Sequence, residues 1–296
     1  MDTDFQIVGI RNTEDRTVGR HTKWYQGKPL ISALLLAVIL IVGGCLFCNR
    51  IMTKDPSYMD LKNYTIAPCK EFLFGTDTMG RDIFSMIWYG GRISLLIGVL
   101  ATLISTVLAI VFGSVSGCAP EWVDSLLMRF TEIFLSIPNL LLVILLQAVL
   151  GKASIFSISF IIGITSWPGI AKVVRTEVRQ IRNSGYVIAA RCMGGSFWHV
   201  LWKHLTPNFA SSIMFMVVMN IRSAIIAEST LSFMGIGLPL EQISWGSMLS
   251  NADKALMTKS WWIILIPGLF LTAMLMCMTN LGNYLRKAVN RKESYL

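Results

Sequence analysis

Few residues in this chain have the type and spacing to do chemistry, and most of those stand where a charge is costly. Arg222, in "MNIRSAII", and Glu228, six residues on, interrupt one long apolar stretch, and Arg129 and Glu132 interrupt another. A charged side chain at the centre of a membrane span costs about 2.5–3.5 kcal/mol on insertion scales unless it is paired or faces water, so each is a functional candidate. Arg129 and Glu132 are three apart and able to pair on one helix face. Arg222 and Glu228 do not share a face, which predicts that Arg222 looks onto a solute pathway or a partner chain, where it could meet a substrate carboxylate. A second constellation is Gly75, Thr76, Asp77, Gly80, Arg81 and Asp82 in the turn-rich "FGTDTMGRD". It reads either as a contact for an outside partner or as a local network in which Arg81 pairs with Asp77 or Asp82. Ser244-Trp245-Gly246 carries the same two readings.

Other chemistries are harder to build. No G-x-x-x-x-G-K-[ST] phosphate loop occurs, because the glycines before Gly27-Lys28 and Gly151-Lys152 have the wrong spacing. The chain is therefore expected not to hydrolyse ATP itself. Cys45-x-x-Cys48 lacks further ligands in sequence reach, so the cysteines at 45, 48, 69, 118, 192 and 277 read as packed membrane thiols, with no metal or cofactor held by this chain.

The elements that must position these residues are membrane spans. Hydrophobic residues make up 54% of the 296 and charged residues 15%, with a mean hydropathy of +0.60. That is too apolar for a soluble domain of this size. An apolar run of about 18 or more residues crosses the hydrocarbon core as a helix. Residues 30–48 form the clearest run, longer than a signal-peptide core and without a convincing small-residue cleavage site, so it is expected to be retained. Runs over 93–117, 126–150, 154–170, 209–227 and 261–284 follow, which predicts six spans and an all-α polytopic membrane protein whose core covers 93–285. Pro138 and Pro267 fall inside spans and are expected to kink them. Trp261-Trp262 suits the interfacial belt.

Lys and Arg orient the spans, since cytoplasmic loops carry their excess. Placing segment 1–29 inside puts Arg11, Arg16, Arg20, Lys23 and Lys28 in the cytoplasm, with Arg175, Arg179, Arg182, Arg191 and Lys203 between spans four and five. Arg286, Lys287, Arg291 and Lys292 then close the tail, 286–296, on the same side. Segment 49–92, in which acidic residues nearly balance basic ones, faces outside. The net charge of +9 follows from this topology, and no nucleic-acid partner is required.

Over 171–207 the chain turns polar between two greasy stretches. "AKVVRTEVRQIR" places Val174, Val178 and Ile181 on one face and Arg175, Arg179 and Arg182 on the next, which is an amphipathic helix. Asn183-Ser184-Gly185 interrupts it. A second short helix follows over 186–193, stopped by Gly194-Gly195 through a residue of positive φ. Ser196 is placed to cap a third helix over 197–205 that ends at Thr206-Pro207. The product is a cytoplasmic helix-turn-helix loop exposing Phe197, Trp198 and Trp202 beside His199, Lys203 and His204, a handle for a partner. An amphipathic linker lying on lipid head groups is the plainer reading of the same composition. A DNA-binding helix-turn-helix is disfavoured, because spans tether both ends.

At these residues the chain resembles the permease subunits of ABC importers, whose cytoplasmic loop reads E-A-A-x-x-x-G, then an apolar stretch and L-P. The matching residues are Ala189, Ala190 and Gly194, then Leu205 and Pro207; Ile188 takes the Glu position and Thr206 separates Leu205 from Pro207. "FGTDTMGRDIFSMIWYGGRISLLIG", "WPGIAKVVRTEV", "AESTLSFMGIGLP", "SWGSML" and "WWIILIPGLFLTAMLMCMTNLGNYLRKAV" are similar, in the same order, to the C-type permease of dipeptide, oligopeptide and nickel importers. The resemblance covers 30–289.

It implies half of a translocation pathway for peptides, completed by a second homologous permease chain. It also implies two cytoplasmic ATP-binding subunits that carry the ATP and Mg and hold the loop around Gly194-Gly195 in a cleft, and an extracytoplasmic solute-binding protein that delivers substrate. The setting is the lipid of a bacterial cytoplasmic membrane, with both termini inside. Without a carboxylate at Ile188, docking of the loop must lean on the backbone turn and apolar contacts. A nickel or metallophore permease shares these motifs. A stand-alone secondary transporter is the rival class, but it typically uses inverted repeats and broken mid-membrane helices, and no internal repeat is visible here. A membrane-anchored regulator would need a soluble effector domain, and no stretch is long enough.

Overall fold

The computed structural model describes residues 28–239 and 241–293, with the backbone alone for 28–34, 191, 197, 198, 204, 207–212, 253, 254 and 287–293. Regular structure among them is helical, apart from one isolated antiparallel bridge between Thr76 and Asp82. Helix α1 is Lys28–Leu46 and α2 is the short Cys48–Ile51. Helix α3, Ile83–Cys118, has 36 residues and so runs about 54 Å at 1.5 Å per residue, well beyond a hydrocarbon core of about 30 Å. The sequence places its start at 93, ten residues late. Asp82 moves it forward, because its carboxylate accepts from the Ser85 backbone N–H at 3.0 Å and caps the first turn.

Helices α4, Glu121–Ser136, and α5, Asn139–Leu150, replace the single expected span over 126–150. The chain bends by 88° between them. Pro138 has no N–H for the helical ladder, and its ring drives the preceding residue out of the helical region: Ile137 sits at φ −90°, ψ 129°. What reads as a kink is therefore a break.

Helix α6, Ile155–Ile181, opens on a Ser154–Ser157 capping box and continues through Pro168 into the amphipathic stretch, so the fourth span and the helix after it are one element. Helix α7, Gly185–Cys192, and α8, Phe197–Val200, follow. The third helix of the loop does not end at Thr206-Pro207 as expected. It widens into a π-turn, Leu201–Leu205, in which the Thr206 N–H reaches back to the Leu201 carbonyl, and passes into α9, Thr206–Phe233. Pro207 follows in the first turn of α9, where it has no N–H to give the ladder, and the wider turn lies directly before it. Helices α10, Trp245–Leu249, α11, Ala252–Met257, and α12, Trp262–Glu293, complete the order, with Pro267 inside α12.

Among the described residues α3, α6, α9 and α12 have the length and apolarity to cross a membrane, the bent α4–α5 pair makes a fifth if it counts as one span, and Leu35–Leu46 is a shorter apolar helix. The most extensive packing joins α3 to α6. Its basis is a row of small residues on α3, with Ala101, Ser105, Ala109, Gly113 and Gly117 at every fourth position, all buried. In lipid, close backbone approach over such a row replaces the hydrophobic drive that water would supply. A Cβ on Gly113 would stand 2.6 Å from the Ala171 carbonyl oxygen, and one on Gly117 2.7 Å from Val178 Cγ1, so both glycines are steric requirements of the crossing.

Candidate functional site

The polar loop is built from its buried face outward. Val187, Ala190, Val200, Leu201 and Leu205 join Val174 and Val178 of α6, Ala109 of α3 and Ile213 of α9 in one apolar cluster. The underside of the loop is thereby fixed to three long helices. The turn closes through Met193 N–H to the Ala189 carbonyl and Gly195 N–H to the Ala190 carbonyl, each at 3.0 Å. Gly194 holds φ +83° with open space where a Cβ would point, and a Cβ on Gly195 would stand 2.7 Å from the Ala190 oxygen. Ser196 Oγ accepts from the His199 backbone N–H at 3.3 Å, so the expected cap forms. Ile188, Ala189, Cys192, Met193, Gly194 and Trp202 are exposed, Met193 at 82%. Phe197 and Trp198 lie in α8 and Pro207 in α9; their side chains lie outside the described residues.

Where α6 meets the loop, the cations of its arginine face are engaged. Asp124, at the start of α4, accepts from Arg175 Nε and Nη2 at 2.5 Å each, from Arg179 Nη2 at 2.6 Å and from the Ser116 hydroxyl of α3. Arg182 Nη1 donates to the Gly117 carbonyl at 2.9 Å. This knot joins the ends of α3, α4 and α6 beside the loop. Sequence reasoning missed it because Asp124 and Arg175 are 51 residues apart. Arg129 and Glu132, expected to pair, are both exposed and no ion pair joins them, since the ionic contacts of α4 gather on Asp124 instead.

At the other end of α3 the "FGTDTMGRD" residues form a buried local network. Asp77 takes Arg81 through Nε and Nη2 at 2.7 Å each and accepts the backbone N–H of Met79 and Arg81 at 2.8 Å. Asp82 caps α3 and also accepts from the Thr53 hydroxyl at 3.1 Å. Gly75 and Gly80 turn the chain at φ +77° and +74°, and Thr76 Oγ1 binds the Asn63 carbonyl and the Ile66 N–H. The Trp262 indole donates to the Thr76 carbonyl at 3.2 Å, tying the segment to α12. All six constellation residues are buried within the chain.

Trp245 is buried as well. Its indole donates to the Ile87 carbonyl at 3.0 Å and its backbone N–H to Ser94 Oγ at 3.2 Å. Beside it Glu228 is fully buried, accepting hydroxyls from Ser244 at 2.6 Å, Ser232 at 2.9 Å and Ser94 at 3.2 Å. Three hydroxyl donors on α3, α9 and the α10 cap replace the counter-ion a buried carboxylate otherwise needs. Arg222, on another face of α9, meets Thr279 Oγ1 of α12 at 3.4 Å, its one hydrogen-bond contact among the described residues.

Long apolar helices in close contact, with polar groups satisfied between them, define a multi-pass membrane protein. Residues 109–294 match the model of the binding-protein-dependent transport system inner membrane component. The chain is 35% identical over 268 residues to the oligopeptide transport system permease protein OppC of Bacillus subtilis, covering 90% of this chain and 87% of that one. It is 33% identical over 263 residues to the dipeptide transport system permease protein DppC of the same organism, covering 89% and 80%. With the di/tripeptide transport system permease protein DppC of Pseudomonas aeruginosa the identity is 31% over 265 residues, covering 87% and 86%. This chain belongs to that family of inner-membrane transport components.

Proposed function

We propose that this permease forms half of the pathway of an ATP-driven importer for peptides and receives the work of a separate ATPase through residues 171–207. The peptide reading comes from the similar proteins, which are named as dipeptide and oligopeptide permeases. The observation that carries the coupling reading is the Gly194 turn: an exposed left-handed tip whose supporting residues Val187, Ala190 and Val200 are locked into the same cluster as α3, α6 and α9. A push at such a tip is delivered to three spans at once. Counting α1 and the bent α4–α5 pair as one span each makes six, with both termini and the loop in the cytoplasm. A second permease completes the pathway, two ATP-binding subunits hold ATP and Mg, and a solute-binding protein meets the opposite face. On this reading Gly75, Asp77, Gly80, Arg81, Asp82 and Trp245 shape that outer end from within rather than touching a partner.

The test is Gly194→Val. A residue with a Cβ costs about 1 kcal/mol or more in the left-handed region, and a branched one restricts the turn further. The expected outcome is a permease that inserts normally, while ATPase co-purifies less and ATP turnover in liposomes no longer tracks peptide uptake. Normal values of both would leave the loop a mere surface linker.

A further inference from the structure

Arg222 carries a charge in an apolar span that no described carboxylate of this chain answers. A guanidinium has five N–H donors. Here Nη1 reaches Thr279 Oγ1 at 3.4 Å, longer than the about 2.7–3.2 Å of a well-formed N–H···O bond. That hydroxyl already donates its own proton to the Leu275 carbonyl at 2.7 Å. Nε is buried with no partner among the described residues. Glu228 is no counter-ion: it stands six residues on, and three serine hydroxyls from α3, α9 and the α10 cap occupy it. The flank of α9 that carries Arg222 is incompletely covered by this chain, since Arg222 is half-buried and Ser223 and Ile226 are exposed. Charged residues in spans face a water-filled path or another protein surface, not lipid tails.

Resting on the peptide-permease reading above, we propose that Arg222 is a specificity-determining residue of the pathway, which takes the terminal carboxylate of the passing peptide. The chemistry fits. Thr279 orients one nitrogen, and a side-chain rotation that turns the orphaned Nε and its neighbour Nη2 toward an anion satisfies both, as the same edge of Arg175 does for Asp124. A buried donor without a partner among the described residues is thereby available to such an anion.

The experiment uses the complete transporter in liposomes, with its partner permease, ATPase subunits and solute-binding protein. Initial uptake is compared for one peptide with a free C-terminal carboxylate and for the same peptide amidated there. Because the same binding protein serves every variant, its own preference cancels when each is divided by wild type. Arg222→Met is expected to lower uptake of the free acid by about tenfold relative to the amide, the worth of one charged hydrogen-bonded pair, with Arg222→Lys recovering part. Equal losses for both peptides, or no loss for either, overturn the assignment. So does a fall in complex recovery that Arg222→Lys restores with no change in the acid-to-amide ratio, which makes the carboxylate a neighbouring subunit's. A wild-type complex that takes up neither peptide on ATP overturns the peptide reading itself, a result visible before any variant is made.

Discussion

At the scale of single residues the interior of this protein depends on hydroxyls. Glu228 draws donors from Ser94, Ser232 and Ser244, and Ser94 in turn accepts the Trp245 backbone N–H. Removing the carboxyl would strand three buried hydroxyls, and each buried polar group left without a partner costs about 1–3 kcal/mol. Glu228→Ala is therefore expected to lower stability by about 3 kcal/mol or more. Glu228→Gln should stay within about 1 kcal/mol of wild type, because its oxygen keeps Ser232 and Ser244 and its amide can donate to Ser94 Oγ. Thermal unfolding of the purified permease in detergent measures both, and an Ala variant as stable as wild type would show that the serines find other partners.

The element that most needs its sequence is the α3–α6 crossing. Gly113 faces the Ala171 oxygen and Val174 Cβ at distances a Cβ would bring to 2.6 and 2.7 Å, while Gly169, also on α6, has nothing within 4 Å. Gly113→Ala must part the two helices or strain them, at about 1–3 kcal/mol. Gly169→Ala should be neutral or gain up to about 1 kcal/mol of helix propensity. If the two substitutions shift the unfolding temperature alike, the close approach is not what holds the pair. The same crossing carries the Asp124 knot with Arg175 and Arg179, so separating the helices is expected to weaken coupling as well as stability.

For the molecule as a whole, orientation can be read without introducing a residue. Cys69 and Cys192 are both exposed and free, one in the segment before α3 and the other at the turn between α7 and α8. With the loop in the cytoplasm, a membrane-impermeant maleimide added to intact cells labels Cys69 and reaches Cys192 only after permeabilisation. Cys69→Ser and Cys192→Ser assign each signal, and labelling of Cys192 in intact cells would invert the topology. Thr76, though it belongs to the same segment as Cys69, is fully buried and would make a poor reporter.

Composition and periodicity alone determined that this is a helical membrane chain, where most of its long helices run, and that 171–207 forms a helix, a glycine turn and a helix. Those features are local: apolar length, a 3.6-residue period, a serine cap and a glycine with positive φ are each written within a few neighbouring residues. The Gly113-x-x-x-Gly117 seam went unread, because small residues four apart do not say which helix will lie against them. The tertiary structure decided the rest. Pro138 reads as a kink within one span, and only the folded chain shows an 88° break there, with α5 packed on α6. Asp124 meets Arg175 and Glu228 meets Ser94 across 51 and 134 residues of chain. A buried charge can be spotted in sequence, but the groups that neutralise it come from whichever helices the fold brings alongside, and no local pattern encodes them.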